Sequence, residues 1–305
     1  MPADPPQPTA HGPMAGPIAG PIAPGLHLVA TPIGAARDIT LRTLDLLAGA
    51  DVLAAEDTRS LRRLMEIHGI PLRGRPLIAY HDHNAPAVRP RLLAALAEGR
   101  SVVYAPEAGT PLVADPGYQL LRAAIGAGHP VHGAPGPSAM LAALMVAGLP
   151  SDRFLFAGFP PAQAGPRRRW IGELQDVRAT LILYESPKRV RRTLGELCEA
   201  WGEGREAALC RELTKRFEEV RRGTLAGLRD GCDDDPPRGE VVLVVAGAGL
   251  RGTVAAESEG AELAPMLEER MQKMSLKQAV AEVTAETGLP RRLVYQAALR
   301  LGRAP

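Results

Sequence analysis

Three apolar runs in the first half of the chain end in loops rich in glycine and proline, and these loops constrain the fold most. The runs break at Thr31–Gly34 (TPIG), at Tyr104–Gly117 (YAPEAGTPLVADPG) and at Pro135–Ser138 (PGPS). Glycine and proline turn a chain wherever they occur. Their repetition directly after apolar runs instead predicts the carboxyl ends of buried strands, the edge at which open α/β sheets bind ligands.

Short β-prone runs alternate with helical segments of about ten residues between these loops. In the first half the predicted strands are Leu26–Ala30, Asp51–Ala55, Leu77–Tyr80, Ser101–Tyr104 and Val131–Ala134. This alternation predicts a mostly parallel sheet. The second half predicts strands at Phe154–Phe159, Thr180–Tyr184, Ala207–Cys210, Val220–Thr224 and Glu240–Ala246, several of them antiparallel neighbours. Helices are expected at Ser138–Ala147, with Ser138 as N-cap, at Gly165–Gln175 and at Val190–Trp201.

Composition changes at both ends of the chain predict the domain boundaries. Residues 1–24 are rich in Pro, Gly and Ala and are expected to be a disordered tail. Two α/β domains follow at 25–136 and 137–249, and residues 250–305 form a polar linker and a helical appendage. Two helices separated by Gly288 and Pro290 resemble a helix-turn-helix. A small docking bundle that never touches nucleic acid explains the same pattern equally well.

Cysteine count and hydropathy indicate a soluble, cytoplasmic protein. The chain has 305 residues and three cysteines, which form no C-x-x-C pair and no metal-binding pattern. No apolar run reaches the roughly 18 residues that span a bilayer. The first 24 residues lack the features of a secretory signal.

Charge is unevenly distributed along the chain. The formal net charge is only +2, but residues 166–229 hold 15 Lys/Arg against 10 Asp/Glu, an excess of +5. Such a segment favours a polyanionic partner. An arginine-rich solvated surface is the alternative.

Polar motifs follow two further predicted strands. Glu56–Arg59 (EDTR) holds a ribose or orients a nucleophile, or else it is a helix cap with an Asp57–Arg59 ion pair. His81–Asn84 (HDHN) suggests a general base or an RNA contact at His83, or else a capped turn. Side chains two residues apart on an extended loop diverge, so no metal site is predicted.

A GxGxxG match at Gly247–Gly252 is attributed to chance. A dinucleotide-binding fold needs a helix to open there and a second strand that ends in an acidic residue about twenty positions later. The polar residues 253–260 meet neither requirement. No Walker A motif and no serine-histidine-aspartate pattern is present either.

Eight motifs occur in one order, and together they resemble one family: LVATPIGAARDIT, AAEDTR, HDHN, AGTPLVADPGY, APGPSA, GLPSDRF, YESPKR and RELTK. The chain resembles the ribosomal small-subunit (16S) RNA cytidine-2′-O-methyltransferase I family, a branch of the tetrapyrrole methylases, from about Leu26 to Gly247. The resemblance implies a two-domain α/β fold of the class III methyltransferase type. It also implies S-adenosylmethionine as cofactor, and a cytidine ribose in the decoding region of small-subunit rRNA as methyl acceptor.

The resemblance also carries site residues onto this sequence. The implied cofactor contacts are Pro32, Glu107, Ala108, Gly109, Thr110, Val113, Ser138, Ala139, Glu185 and Thr224. The family usually has Ser-Asp where this chain has Pro106-Glu107, which keeps the charge on a longer arm. Lys and Arg side chains neutralise phosphates, and the predicted RNA contacts are Arg59, Lys188, Arg189, Arg211 and Lys215. Asp57 and His83 are the candidate bases for the acceptor proton.

Partners and competing functions follow from the same reading. The expected partner is small-subunit rRNA or the assembled small subunit, and the resemblance implies a homodimer by analogy. One alternative is a methyltransferase of the same fold that acts on a tetrapyrrole or another small molecule. The other is a non-catalytic rRNA-binding assembly protein that uses the C-terminal helices and the arginine-rich segment.

Overall fold

The computed structural model describes residues 20–113, 117–249, 263–287 and 291–301, and these form two compact units. The first unit runs to Ala142 and includes the segment Leu213–Phe217. The second contains Ala143–Glu212 and the chain from Glu218 onward. Most of the predicted tail and the whole predicted linker, residues 1–19 and 250–262, lie outside the described residues.

The first unit is a parallel sheet flanked by helices. Its elements are β1 (Gly25–Val29), α1 (Leu41–Gly49), β2 (Val52–Ala55), α2 (Thr58–Ile67), β3 (Leu77–Ala79), α3 (Ala85–Ala97), β4 (Ser101–Ala105), α4 (Gly117–Gly126) and β5 (Val131–Ala134). The strand order is β3-β2-β4-β1-β5, and every described pair is parallel. The prediction of five strands in a mostly parallel sheet is confirmed, with ends that differ by one residue at most.

Alternate residues of each strand build two cores, one on each face of this sheet. Leu53 and Val103 pack with the side chains of α1 and α2. Val52, Val102 and Tyr104 pack with those of α3 and α4. Strands covered on both faces are buried along their whole length, which is why β1, β2 and β4 are nearly continuous apolar runs.

The loops after β1 and β4 diverge from neighbouring strands. The chain leaves β1 toward α1 on one face of the sheet and leaves β4 toward α4 on the other. Since β1 and β4 pair directly, the chain departs to opposite faces of the sheet between them, which is the position at which open α/β sheets bind ligands. The TPIG and AGTP loops both lie there.

The second unit is a mixed sheet. After α5 (Ala139–Ala147) its elements are β6 (Phe154–Gly158), α6 (Ala164–Leu174), β7 (Thr180–Glu185), α7 (Val190–Trp201), β8 (Glu206–Arg211), β9 (Glu219–Thr224), α8 (Leu225–Asp234) and β10 (Val241–Val245). The strand order is β6-β7-β10-β8-β9, with β6 and β7 parallel and the other pairs antiparallel. The expected antiparallel neighbours are confirmed.

Helix α8 is absent from the sequence prediction. Its interior contains Gly227 and Gly231, which weaken a helical pattern. The missed signal is the spacing of Leu225, Leu228 and Cys232, which are buried on one face of the helix.

The C-terminal region is helical, as predicted. Residues 263–271 form α9, followed by α10 (Leu276–Thr287) and α11 (Arg291–Leu301). These helices share a core of their own, formed by Leu263, Leu267, Val280, Val283, Val294, Ala297 and Ala298. The predicted turn residues Gly288 and Pro290 lie outside the described residues. In the described part of the chain, no helix has both the length and the apolar character that crossing a membrane requires.

Candidate active site

The loops after β1 and β4 are joined by their backbones. Thr31 and Gly109 exchange two hydrogen bonds, of 2.9 and 3.0 Å between N and O. Gly109 has φ +80°, a conformation that favours glycine, and a Cβ there would lie 3.4 Å from Ile33. The backbone conformation, rather than the space around it, therefore favours a glycine at this position of the AGTP loop.

The loop after β5 lies against the same place. Thr110 donates its hydroxyl hydrogen to the carbonyl oxygen of Pro137 across 2.9 Å. Two turns 27 residues apart in the chain thus adjoin, as the sequence predicts from their positions at the ends of parallel strands. Leu112, further along the same loop, has φ +71°, which is unusual for a residue with a side chain.

Ser138 does not cap α5, contrary to the sequence prediction. Helix α5 begins at Ala139, and the Ser138 hydroxyl is buried without a hydrogen-bond partner in the described structure. The backbone carbonyl of Ser138 still accepts from Ala142 N–H at 2.9 Å. A buried hydroxyl without a partner costs free energy. A ligand that forms a hydrogen bond with the Ser138 hydroxyl would remove that cost.

The groups at this edge fit a cofactor with an ammonium, a carboxylate and ribose hydroxyls. The Ser138 hydroxyl can donate or accept, and Glu107 presents an exposed carboxylate. Ala108 is exposed and Val113 and Ala139 are half-buried, so backbone and small side chains line the approach. The Glu107 N–H bonds the Glu56 carboxylate at 3.1 Å, which fixes the start of the loop.

Asp57 is an N-cap paired with an arginine, the alternative role weighed for the EDTR motif. Its carboxylate accepts from the Arg59 backbone N–H at 2.7 Å and from the Arg59 guanidinium at 2.9 Å. These bonds from Arg59 lower the pKa of Asp57 to about 2. A carboxylate this acidic is a poor proton acceptor at neutral pH.

A cleft of about 550 Å³ lies beside α2, and we call it the α2 cleft. One wall is a single face of the helix, formed by Arg59, Ser60, Arg63, Leu64 and Ile67. The opposite wall is the loop after β1 and the start of the loop after β4, including Pro32, Gly34 and Glu107. His68 Nε2 lies 3.0 Å from the Ala36 carbonyl oxygen and ties the end of α2 to the opposite wall.

The sequence reasoning missed most of the α2 wall. It selected Asp57 and Arg59 as strand-end residues but did not follow the helix beyond them. The available signal is the helical spacing of Arg59, Arg63 and Ile67, in which an exposed isoleucine follows two arginines on one face.

The HDHN loop is held by Asn84. Its side-chain oxygen accepts from His81 N–H at 2.9 Å, and its side-chain nitrogen donates to the Ala79 carbonyl at 2.9 Å. His83 is exposed, with its ring 6.0 Å from that of His81. His81 Nδ1 is buried and has no partner among the described residues. The capped turn that the sequence offers as one alternative is thus present, and the loop still displays His83.

In the second unit, the carboxylate of Glu185 organises the loop that follows β7. It accepts from Ser186 N–H at 2.8 Å, from Arg189 Nε at 2.7 Å and from the Thr193 hydroxyl at 2.6 Å. Arg189 also reaches the Pro160 carbonyl at 3.3 Å. Glu185, a predicted cofactor contact, is therefore engaged by three groups of its own unit, and Lys188 stands exposed on the loop it holds.

The remaining predicted residues are spread over both units. Arg211 pairs with Glu219, its neighbour across β8 and β9. Thr224 is exposed and caps α8 by accepting from Gly227 N–H at 3.1 Å. Lys215 belongs to the first unit, in the segment that packs on Gly34, where the Thr214 hydroxyl accepts from Ala35 N–H at 3.1 Å. Within the described ranges, no three His, Cys, Asp or Glu side chains are grouped so as to hold a metal ion.

Two protein-family models match this chain. A family model described as tetrapyrrole (corrin/porphyrin) methylases matches residues 25–229. A second model, described as the RsmI C-terminal HTH domain, matches residues 257–302.

Individual relatives extend this agreement. Ribosomal RNA small subunit methyltransferase I of Mesorhizobium japonicum is 47% identical over 91% of this chain and 92% of its own length. The protein of the same name from Xylella fastidiosa is 42% identical over 88% of this chain and 97% of its own length. The crystal structure of uroporphyrin-III-C-methyltransferase from Thermus thermophilus matches with a TM-score of 0.53 and 24% identity, over 72% of this chain and 93% of that one. At that identity the likeness shows the fold alone.

Proposed function

Because the chain belongs to the ribosomal RNA small subunit methyltransferase I family of tetrapyrrole methylases, we propose that it methylates the 2′-hydroxyl of a cytidine in the decoding region of small-subunit rRNA. S-adenosylmethionine-dependent methylation of small-subunit rRNA follows from the family itself. The nucleotide and the atom are the proposed part. The observation that carries the proposal is the 47% identity to a relative over nearly the full length of both chains, and the adjoining turns after β1, β4 and β5 support it.

The proposed cofactor contacts are those that the sequence implies. In the first unit they are Pro32, Glu107, Ala108, Gly109, Thr110, Val113, Ser138 and Ala139. The Thr110–Pro137 bond and the unpartnered Ser138 hydroxyl support this assignment. In the second unit Glu185 and Thr224 are proposed, and Glu185 contributes by holding the loop around Lys188 in place. Bound S-adenosylmethionine supplies an electrophilic methyl group on a sulfonium.

The chain contributes mainly alignment to the reaction. Fixing donor and acceptor in line supplies roughly 7–11 kcal/mol of the barrier lowering in well-oriented reactions. Of the two predicted bases, His83 suits the acceptor proton better, because it is exposed while Asp57 is held ionised by Arg59. An unchanged pH–rate profile in His83→Ala would remove His83 from this role.

The proposed RNA contacts differ in how they are held. Arg59 is 91% exposed although it pairs with Asp57, and Lys188 is exposed at the end of β7. Arg189 and Arg211 are tied to carboxylates of their own unit and are less than 30% exposed. Lys215 completes the set. We therefore expect Arg59 and Lys188 to contribute more to phosphate binding than the paired arginines.

We also propose that the protein is a homodimer that acts in the cytoplasm, where ribosomal subunits are found. Exposed apolar side chains in the second unit support a self-association surface: Met145 (85%), Phe154 (42%), Leu155 (38%) and Phe159 (53%). Light scattering after gel filtration of the purified chain tests this. A monomer mass at micromolar concentration would contradict it.

Two measurements test the proposed function. Calorimetry of the purified protein with S-adenosylmethionine should show saturable binding. Small-subunit rRNA from cells with and without the gene is then compared by alkaline hydrolysis and mass spectrometry, because a 2′-O-methyl ribose protects the adjacent phosphodiester. The proposal expects one protected cytidine that depends on the gene. A gene-dependent methyl group on a base, or on another nucleotide, would overturn the assignment.

A further inference from the structure

The α2 cleft is an open groove whose volume and lining suit a nucleotide. Its volume of about 550 Å³ falls within the range of roughly 300–1,000 Å³ for small-ligand sites. Its α2 wall joins two guanidinium groups, Arg59 and Arg63, to the half-buried Leu64 and to Ile67, which is 53% exposed. Cations beside apolar surface suit a phosphate and the flat face of a ribose or base.

Arg63 and its neighbour Arg62 differ in their position relative to the cleft. Both are exposed on α2, but Arg63 lines the cleft and Arg62 does not. In the portion of the chain that the structure describes, Arg63 forms no ion pair, whereas Arg59 is oriented by its bonds to Asp57. The N–H donors of Arg63 are therefore available to a ligand. The carboxylate of Asp57 holds the Arg59 guanidinium in a fixed orientation.

The cleft adjoins the predicted cofactor loops. Pro32 and Glu107 line its wall and also belong to the loops after β1 and β4 that are expected to bind the cofactor. The cleft otherwise consists of residues outside the predicted cofactor set, such as Ser60, Arg63 and Ile67. An acceptor bound here would lie next to the donor, as an in-line transfer requires.

An exposed aromatic side chain lies on the chain segment next to the cleft. Gly34 lines the cleft, and a Cβ there would lie 2.5 Å from Lys215, so the segment Leu213–Phe217 packs against that wall. Phe217 in this segment is 64% exposed, with the Arg216 guanidinium 5.4 Å from its ring centre. An exposed aromatic ring beside a cation is a common platform for an unpaired base.

From these observations we propose that the α2 cleft receives the rRNA strand that carries the acceptor ribose, with Arg63 bound to a phosphate and Phe217 stacked on a neighbouring base. This inference rests on the proposed function, since it names the part of the protein that holds the substrate.

The test compares Arg63→Ala with Arg62→Ala, two variants that lose the same charge from adjacent positions of one helix. Methyl transfer to small ribosomal subunits from cells that lack the gene is measured at several salt concentrations. Arg63→Ala should raise KM about 3- to 10-fold and lower the slope of log KM against log salt by about 0.7, the value for one phosphate contact on a single strand. Arg62→Ala should do neither, and Arg63→Lys should recover most of the loss.

Phe217 is tested by the same assay. Phe217→Ala should raise KM for small subunits with kcat nearly unchanged, and Phe217→Trp, which keeps a stacking face, should restore it. Equal rises in KM in the Ala and Trp variants would overturn the proposed stacking of a base on Phe217.

Separate outcomes would overturn this inference and the proposed function. If the wild-type protein leaves the cytidine 2′-hydroxyl unmethylated, the proposed function fails. If the wild type methylates it and Arg63→Ala behaves like Arg62→Ala, only the α2 cleft assignment fails. A loss of S-adenosylmethionine affinity in Arg63→Ala, measured by calorimetry, would assign the cleft to the cofactor instead. Thermal unfolding midpoints equal to wild type confirm that each variant is folded.

Discussion

Thr110 and Ser138, two side chains at the AGTP and PGPS loops, have different roles, one structural and one in ligand binding. Thr110 uses its hydroxyl to hold the Pro137 carbonyl, so it fixes the loops after β4 and β5 to each other. Ser138, the next residue after Pro137, buries a hydroxyl that meets no partner among the described residues. The Thr110 hydroxyl stabilises the site, and the Ser138 hydroxyl is available to the ligand.

Ser138→Ala is expected to weaken cofactor binding without destabilising the protein. A net hydrogen bond contributes about 1 kcal/mol, so the dissociation constant for S-adenosylmethionine should rise about 5-fold in calorimetry. The unfolding midpoint should stay unchanged, because no internal bond is removed. Thr40→Ala is the matched control: Thr40 caps α1 by accepting from Thr43 N–H at 3.1 Å. It should cost about 1 kcal/mol of stability and leave cofactor affinity intact. The reverse pattern would contradict the assignment of Ser138.

The lowered pKa of Asp57 predicts how the stability of the folded protein depends on pH. Its folded-state pKa of about 2 lies below the ordinary value of 3.8, so its stabilising contribution is complete above pH 3.8 and is lost as pH falls through about 2. Asp57→Asn keeps a capping oxygen but loses the charge. The variant should unfold at a slightly lower temperature than wild type at pH 7, and the difference should vanish near pH 2. Since Arg59 is 91% exposed, the stability difference should stay below about 1 kcal/mol. A difference that persists unchanged at pH 2 would contradict this account.

Among pairs of elements, α6 and α7 of the second unit are joined by a buried ion pair. Arg167 is 1% exposed. It contacts Glu196 through two bonds of 2.6 and 2.7 Å and donates to the Pro161 and Ala162 carbonyls. The guanidinium therefore fixes both the helix pair and the turn before α6, which explains how an arginine is accommodated beside an apolar core.

Arg167→Met should destabilise the protein by roughly 3 kcal/mol, because it leaves Glu196 without its partner. This value is at the low end for buried pairs, since the Glu196 side chain is still 15% exposed. Denaturant unfolding measures the change. The double variant Arg167→Met with Glu196→Leu should recover a large part of the loss. If the single variant matched wild type, the pair would contribute nothing to joining the helices.

At the scale of the whole molecule, the described residues form separate apolar cores. The sheet of the first unit has one core on each face, the second unit has its own, and the helices of residues 263–301 enclose a further cluster. That last cluster is built of residues from α9, α10 and α11. Burial within it accordingly does not depend on side chains of the sheets.

A protein that ends at Gly249 is therefore expected to fold and to bind S-adenosylmethionine with wild-type affinity, because the described cores of the two sheets lose no member. Circular dichroism, thermal unfolding and calorimetry test this. If the C-terminal helices contact RNA, as a helix-turn-helix suggests, KM for small subunits should rise while cofactor affinity stays the same. Loss of folding in the truncated protein would show that the C-terminal core supports the rest.

Much of the fold follows from local pattern. The five strands of the first unit and their polar or glycine-rich ends were predictable, because apolar runs and turn residues are read within a few positions of the chain. The meeting of the AGTP and PGPS loops also followed, since parallel strands bring their carboxyl ends to one edge. Helix α8 did not, because Gly227 and Gly231 obscure a helical face that only packing reveals.

The sequence by itself determined the two α/β halves, the helical C-terminal region and the loops where chemistry is expected, because each depends on short-range periodicity. Only the tertiary structure decided what each polar atom in those loops contacts. It assigned Asp57 to Arg59, withheld the Ser138 hydroxyl from α5, and placed Arg63 but not Arg62 on the wall of a cleft. These outcomes depend on distances of a few ångströms between backbone and side chains, which spacing along a chain does not specify.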